Sequence, residues 1–313
     1  MNKKPYGWHN YSFLDKLKWY TEFDKDKKEL YSDKYKIKSI IERKNIPNLY
    51  YAKLISHVFP LNVSTKLNVG VPFQHELLKK DQRIDAILSR NINSNTIFSQ
   101  DEILYLLSSH YNIKPITDDF QPEKSYVIKL NLSWNTMIIV KNNRIMKICY
   151  GKHTFPNYQD YFSEWRDISL FHYRKKTPAR FFAEEFLDFN LPVYEIYCIH
   201  GQPRLLSLYI ESDESFESNY KIIHNSKNNY TFEFLPGKQL MPNTIPSIFT
   251  LNQNIAQQAC NIAPHFAKEF QFVRVDFYHH DDKLYFSECT FTPGALKKIK
   301  WGSIGQYLSS YWV

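Results

Sequence analysis

Two apolar runs near the C-terminus each carry one carboxylate in their interior, twelve residues apart: Val273-Arg274-Val275-Asp276-Phe277-Tyr278 and Leu284-Tyr285-Phe286-Ser287-Glu288-Cys289-Thr290. They are joined by His279-His280-Asp281-Asp282-Lys283 and followed by Phe291-Thr292-Pro293-Gly294, so they read as an antiparallel hairpin. No other stretch constrains the fold as much. A carboxylate inside a packed strand is costly unless something pairs with it. Two carboxylates brought together repel, and a proton or a divalent cation relieves the repulsion.

Side chains alternate faces along a strand with period two. If Asp276 faces Glu288 in a regular ladder, His280 faces Leu284 and the turn is Asp281-Asp282-Lys283. A two-residue turn in a regular ladder would put the carboxylates on opposite faces. The metal-binding reading therefore predicts a three- or five-residue turn, of the kind that calls for a bulge. Arg274 lies two residues before Asp276, on the same face, and Thr290 follows Glu288 in the same way. Two readings stay open on these residues: an oxygen-rich site for a divalent cation, or an ion-pair network between Arg274 and one carboxylate.

A chain of 313 residues is long enough for two or three packed layers. Hydrophobic residues make up 43% of it and aromatic residues 17%, which describes a globular protein. The formal charge of +8 is uneven: residues 1–60 hold thirteen Lys and Arg against seven Asp and Glu. A basic face of that kind suits a polyanionic substrate or an anionic surface, or is simply solvated. Cys149, Cys198, Cys260 and Cys289 are far apart in apolar surroundings and read as buried thiols. No apolar segment follows the basic Met1-Asn2-Lys3-Lys4, and no run reaches the roughly eighteen apolar residues of a membrane span. These features predict a cytoplasmic protein without a transmembrane segment. Basicity and aromatic residues are the only features that point to nucleic acid, and no recognition motif joins them.

Residues 11–45 carry helical spacings, with Asp33 placed to cap a helix containing Ile37, Ile40 and Ile41. A second helical pattern falls within 82–111. Strand patterns begin at Ser125–Asn131 and continue at Met137–Val140, Arg144–Cys149, Arg180–Leu187, Tyr194–Ile199 and Arg204–Ile210. His200-Gly201-Gln202-Pro203 is the turn between the last two. Residues 213–229 and 235–246 read as loops. A helix through Ile255, Ala259, Ile262 and Phe266, with a kink at Pro264, precedes the hairpin.

This order of elements, with a lysine on one strand, Glu184-Glu185 on the next and Arg-x-Asp then Glu-x-Thr on the final hairpin, resembles an ATP-grasp fold. More narrowly it resembles the TupA-like ATP-grasp family of teichuronopeptide and surface-polysaccharide biosynthesis. The segments that carry the resemblance are Asp15-Lys16-Leu17-Lys18-Trp19, Ser32-Asp33-Lys34-Tyr35, Tyr126-Val127-Ile128-Lys129, Phe182-Ala183-Glu184-Glu185-Phe186-Leu187 and Phe272–Tyr278. Phe286–Gly294 is the most specific, while residues 60–112 show no counterpart. The resemblance implies an α+β protein with a nucleotide cleft between two α+β subdomains and a mainly helical N-terminal region. The implied divisions are 1–118 (substrate side), 119–190 (small ATP-grasp subdomain) and 191–313 (C-terminal subdomain with the metal-binding hairpin).

The implied activity is ATP-dependent ligation, in which a carboxylate is phosphorylated to an acyl phosphate and an amine displaces the phosphate to leave an amide. Asp276, Glu288 and Thr290 would hold Mg2+, and Arg274 would steady the transferring phosphoryl group. Lys129 would reach the ATP phosphates. Ser133, Asn135 and Thr136 would line the loop over them, and Glu184, Glu185 and Leu187 would form the hinge against adenine. Three features depart from the family pattern. No glycine occurs between Gly70 and Gly151, although the family's phosphate loop is glycine-rich. Val193-Tyr194-Glu195 stands where an acidic residue and then a lysine are usual, and the basic residues after His200-Gly201 thin out to Arg204. The expected substrates are an anionic saccharide or glycan precursor, such as a uronic acid, and a small amine such as an amino acid. The basic N-terminal region would suit a lipid-linked intermediate at the inner membrane face. The alternative is a degenerate ATP-grasp protein that binds a glycan or a partner enzyme without turnover.

Overall fold

Asp33 shows how closely local chemistry sets the N-terminal helices. In the computed structural model its Oδ1 accepts the Tyr35 and Lys36 N–H groups at 3.0 Å each, capping the helix Lys36–Lys44 (α3). That helix stops at Asn45, which takes the left-handed conformation (φ 45°). Two helices precede it, Phe13–Thr21 (α1) and Lys25–Ser32 (α2). Ser12 caps α1 by accepting the Asp15 N–H at 3.2 Å. Phe13, Leu14, Leu17 and Tyr20 form its buried stripe. The structure describes residues 4–54, 59–60, 125–131, 136–141, 144–150, 153–154, 180–187, 191–210, 216–226, 229–236, 250–293 and 301–313. The helical pattern expected within 82–111 lies outside them.

The chain divides into two compact units, one formed by Met1–Tyr51 with Leu187–Val313 and the other by Ala52–Phe186. This differs from the three consecutive segments expected, because the N-terminal helices share one hydrophobic core with the C-terminal strands. In that core Phe13 meets Phe272 and Trp312 at ring distances of 5.4 and 5.8 Å, and Tyr31 meets Phe270 at 5.0 Å.

The first unit is built on a seven-stranded sheet. Its strands are Leu49–Tyr51 (β1), Val193–Ile199 (β8), Gln202–Ile210 (β9), Phe216–Ser226 (β10), Asn229–Phe234 (β11), Phe272–His280 (β12) and Lys283–Thr290 (β13). They lie in the order β1-β13-β12-β8-β9-β10-β11, antiparallel except for β1 against β13. The segment 213–229, expected as a loop, contains β10, which pairs on both sides. Polar residues such as Glu217, Ser218 and Asn219 hid it, because they are held inside the sheet. The helix Gln253–Ile262 (α4) and the short Pro264–Ala267 (α5) follow one another where Pro264 was expected to kink a single helix. Phe266 of α5 packs on Phe286 at 4.8 Å, while Phe272 stacks on Trp312 just beyond the last helix, Gly302–Tyr311 (α6). Phe272 and Phe277 alternate along β12, so α1 and α6 cover one face of the sheet and α4 and α5 the other. Cys198, Cys260 and Cys289 are buried free thiols, as expected.

Two turns follow their residue chemistry. His200-Gly201 joins β8 to β9 with positive φ at both residues (49° and 77°), the two-residue hairpin geometry that matches strand twist. A Cβ on Gly201 would also meet the Lys268 Cα at 2.9 Å. The β12–β13 turn corrects the sequence expectation. Asp276 does face Glu288, and Arg274 faces Thr290. The turn, however, is the two residues Asp281-Asp282, both at positive φ (46° and 56°), with His280 opposite Lys283. Pairing steps from Phe277 opposite Phe286 to Asp276 opposite Glu288, which leaves Ser287 as a bulge. One residue absorbed in the strand does what an odd loop was expected to do.

The second unit holds a six-stranded antiparallel sheet. Its strands are Phe59–Pro60 (β2), Tyr126–Leu130 (β3), Thr136–Lys141 (β4), Arg144–Tyr150 (β5), His153–Thr154 (β6) and Arg180–Glu185 (β7), in the order β2-β7-β3-β4-β5-β6. Tyr126, Val127, Ile139, Phe182 and Ala183 are buried in it.

In the first unit the Lys16 side chain is fully buried. Its Nζ donates to the Ser309 and Trp312 carbonyls at 3.0 and 2.9 Å, satisfying the C-terminal end of α6. The Ser309 carbonyl also accepts the Trp312 N–H at 3.2 Å, and the Trp312 carbonyl the Trp8 Nε1–H at 2.9 Å. Lys16→Met therefore removes a charged donor from both without orphaning either, and is expected to lower stability by about 1–2 kcal/mol. The midpoint of urea unfolding of the full chain measures this, and an unchanged midpoint would show that water replaces the ammonium at no cost.

Candidate active site

Strands β8, β12 and β13 are neighbours in the middle of the first sheet, and their register sets six polar or aromatic side chains in two rows. Asp276 lies between Glu195 and Glu288, and Arg274 between Tyr197 and Thr290. The Arg274 guanidinium is the hub. Its Nε and Nη2 donate to Asp276 Oδ1 and Oδ2 at 2.8 and 2.6 Å, a bidentate pair. Its Nη1 meets Glu195 Oε1 at 2.9 Å, and its Nη2 lies 3.5 Å from Thr290 Oγ1 and 3.7 Å from Glu288 Oε1. The Thr290 hydroxyl donates to Glu288 Oε1 at 3.1 Å, and the Tyr197 hydroxyl to Glu195 Oε2 at 3.3 Å. Lys34, from the segment between α2 and α3, reaches Glu288 Oε2 at 2.8 Å. At one end Trp301 packs on Tyr197 and on Phe13, with ring distances of 6.3 and 4.8 Å. This aromatic end keeps the neighbouring charges in a poorly solvated setting, where their interactions are strong.

Three carboxylates on this face meet two cations. Asp276 is only 3% exposed. Burial is the main reason its pKa is raised; Glu195 and Glu288 add to the rise, and Arg274 opposes it. Burial also works against ionisation of Glu288, but the Lys34 ammonium and the Arg274 guanidinium outweigh it and hold that carboxylate below its ordinary range. Arg274 keeps its charge despite burial because Asp276 and Glu195 flank it. The ion-pair reading left open by the sequence describes these contacts, although the face is buried and not solvated.

The same carboxylates fit Mg2+. The donor set is all hard oxygen, and among the described residues three carboxylates stand beside two cations. Among the described residues no three His, Cys, Asp or Glu side chains form a ready metal cage. Mg2+ does not require one, since it is commonly held by one or two carboxylates with water and substrate phosphates.

Of the residues singled out in the sequence, Arg274, Asp276, Glu288 and Thr290 come together here. Lys129 and Glu184 belong to the second unit, where β3 pairs with β7 and the Lys129 ammonium forms an ion pair with the Glu184 carboxylate. Glu185 is exposed on the same strand, and its N–H donates to the Lys53 carbonyl at 2.8 Å. Leu187 falls in the first unit, just past the division. Thr136 opens β4 opposite Tyr150, whereas Ser133 and Asn135 lie outside the described residues. Sequence reasoning missed Glu195 and Lys34 as members of the site. Glu195 was visible as an acidic residue where a lysine was expected, and alternation put it in line with Tyr197. Lys34 lay in a segment quoted for the resemblance, but nothing local ties it to Glu288.

Arg274→Met leaves three crowded carboxylates without their shared cation, and a loss of about 3–5 kcal/mol is expected. Adding Asp276→Asn should recover part of it, because the cost is repulsion as well as lost hydrogen bonds. A double-mutant cycle in urea checks this, and strictly additive losses would contradict the coupling.

The TupA-like ATPgrasp family matches residues 74–301. The match takes in most of the 60–112 stretch for which the motifs gave no counterpart. It begins after the segments 15–19 and 32–35 that had been quoted for the resemblance. Among curated proteins none matches the chain. Solved structures with similarity include a D-alanine–D-alanine ligase from Bacillus anthracis, at 11% identity over 90% of this chain and 65% of that one, with a TM-score of 0.36. An L-amino acid ligase from Bacillus licheniformis matches at 11% identity over 91% of this chain and 50% of that one, with a TM-score of 0.37. An N5-carboxyaminoimidazole synthase from Aspergillus clavatus matches at 13% identity over 83% and 44%, with a TM-score of 0.32. The chain spans less than two thirds of the length of each of these three. With the family matched over most of its length, the chain belongs to the TupA-like ATP-grasp family.

Proposed function

We propose that the protein is an ATP-dependent carboxylate–amine ligase. It would join an amine, such as an amino acid, to a carboxylate of a bacterial surface polysaccharide or its precursor, with a uronic acid as the natural acceptor. The observation that carries this reading is Arg274 held between carboxylates on a buried sheet face, in a chain of the ATP-grasp family. In the first half-reaction a carboxylate oxygen attacks the γ-phosphorus of ATP, the bond to ADP breaks and an acyl phosphate forms. In the second the amine nitrogen attacks the carbonyl carbon, phosphate leaves and the nitrogen loses a proton.

Asp276, Glu288 and the Thr290 hydroxyl oxygen would hold Mg2+, which when bound offsets the negative charge of the phosphates. Asp276 then needs Arg274 less, and the freed side of the guanidinium can pair with the transferring phosphoryl group and the acyl phosphate. Glu195 keeps the other side of the guanidinium in place, and Lys34 fixes Glu288. In the second unit Glu184 orients Lys129 as a point charge for phosphate. Ser133, Asn135 and Thr136 would serve the phosphate loop, and Glu185 and Leu187 the adenine hinge. Among the described residues no helix is long and apolar enough to cross a membrane. We place the reaction in the cytoplasm, where ATP is at hand, with the basic N-terminal helices facing an anionic or lipid-linked glycan.

One observation favours a second reading, a protein of this fold that binds a glycan or partner enzyme without turnover. Glu195 adds a third carboxylate to a face that would have to accept a polyanionic nucleotide. Titration calorimetry with ATP separates the two. The ligase reading expects Mg2+-dependent binding that Asp276→Asn and Glu288→Gln weaken strongly. It also expects a loss of about 100-fold or more in carboxylate-dependent phosphate release for Arg274→Met. Absence of ATP binding by the wild type, or unchanged turnover in these variants, would rule it out.

A further inference from the structure

Lys34 reaches the carboxylate row from a helix corner outside the sheet. Its Nζ lies 2.8 Å from Glu288 Oε2. Oε1 of the same carboxylate accepts from the Thr290 hydroxyl at 3.1 Å and lies 3.7 Å from Arg274 Nη2. Both oxygens of a side chain assigned to the metal therefore already carry a partner. The ion pair is largely withdrawn from water, with the Lys34 and Glu288 side chains 17% and 18% exposed.

The corner that carries Lys34 is fixed in place. The Asp33 N–H donates to the Glu29 carbonyl at 3.0 Å to close α2, and the Asp33 carbonyl accepts the Ile37 N–H at 2.9 Å to open α3. The Asp33 side chain, which caps α3, is fully buried, and α2 packs against β13. The backbone of Lys34 is thus seated beside Glu288, and the movement left to its ammonium is that of the four-carbon stem.

Glu288 Oε2 cannot serve two cations well. Mg2+ binds oxygen at about 2.1 Å, so a Mg2+ ion and the ammonium sharing Oε2 would stand within about 5 Å of each other. Like charges repel strongly at that range where water is scarce. Mg2+ that arrives with a nucleotide alters the balance, because phosphate oxygens come with it as further ligands. Those oxygens are anionic, and they suit an ammonium displaced from its carboxylate.

We propose that Lys34 is a switch between carboxylate and phosphate. It competes with a lone divalent ion for Glu288, and it moves to the nucleotide phosphates when metal and nucleotide bind together. The transfer to phosphate rests on the ligase reading, whereas the competition rests on the Glu288 contacts and on that residue as a metal ligand. The site then favours the metal–nucleotide pair over the free ion, and the N-terminal helices take part in nucleotide binding.

The test is titration of the full chain with Mn2+ alone, read by loss of the free-ion electron paramagnetic resonance signal. Mn2+ shares the preference of Mg2+ for octahedral oxygen ligands. A second titration, with Mg2+ and a non-hydrolysable ATP analogue, is read by calorimetry. Lys34→Met should bind Mn2+ alone at least about fivefold more tightly than the wild type, and the Mg2+–analogue pair at least about tenfold more weakly. Lys34→Gln keeps a donor for Glu288 without the charge. It should shift both affinities in the same directions, and it judges the proposal where the methionine variant does not fold. Lys25→Met removes an exposed ammonium paired with Glu22 and should change neither affinity. Unchanged, weaker or absent Mn2+ binding by the Lys34 variants would overturn the competition, since a lysine that merely orients Glu288 gives that result. Unchanged analogue binding would overturn the transfer to phosphate. Equal shifts in Lys25→Met would overturn both as a bulk effect of charge. Failure of the wild type to bind the analogue would overturn the ligase reading, and the Mn2+ titration would still judge the competition.

Discussion

The buried Arg274 guanidinium organises the sheet of the first unit. Arg274 of β12 donates two hydrogen bonds to Asp276 on its own strand, pairs with Glu195 of β8 and lies 3.7 Å from Glu288 of β13, so three adjacent strands are tied by charge as well as by their backbone ladders. Removing the cation would leave like charges in a setting that cannot solvate them. Among the described residues the three carboxylates of this face also outnumber the two cations beside them.

The helices that seal the site come from opposite ends of the chain. Phe13 of α1 and Trp312 after α6 pack on Phe272, two residues from Arg274, and Trp301 before α6 packs on Phe13. Lys16 joins the two ends by satisfying the last carbonyls of α6, and Lys34 carries the same N-terminal segment to Glu288. Lys16, Lys28 and Lys38 are buried, Lys28 against the Tyr20 carbonyl, so part of the basic charge of the N-terminal region faces inward. Lys25 and Lys27 stay at the surface, paired with Glu22 and Glu269.

Much of the fold was legible, because strands with alternating apolar residues and turns such as His200-Gly201 carry their own chemistry. Strand β10 was not, since its interior is polar and local pattern reads Glu217-Ser218-Asn219 as a loop. Glu217 is tolerated there because the neighbouring strand brings it the Ser207 hydroxyl. The hairpin illustrates the same limit more finely. The facing of Asp276 and Glu288 could be anticipated, but whether the odd residue sat in the turn or in the strand could not. Asp281 and Asp282 both accept positive φ, so the turn closed in two residues and Ser287 took up the slack.

The sequence by itself determined which residues carry the chemistry of the hairpin and on which face of their strands they stand. Period-two alternation and the cost of burying carboxylates are local facts, and they were enough to pick out Arg274, Asp276, Glu288 and Thr290. Only the tertiary structure decided their companions. Glu195 and Lys34 enter through strand order and helix docking, which depend on how a shared aromatic core brings distant segments together. Side-chain pairing across a sheet follows register between strands, and no spacing along a single chain segment encodes it.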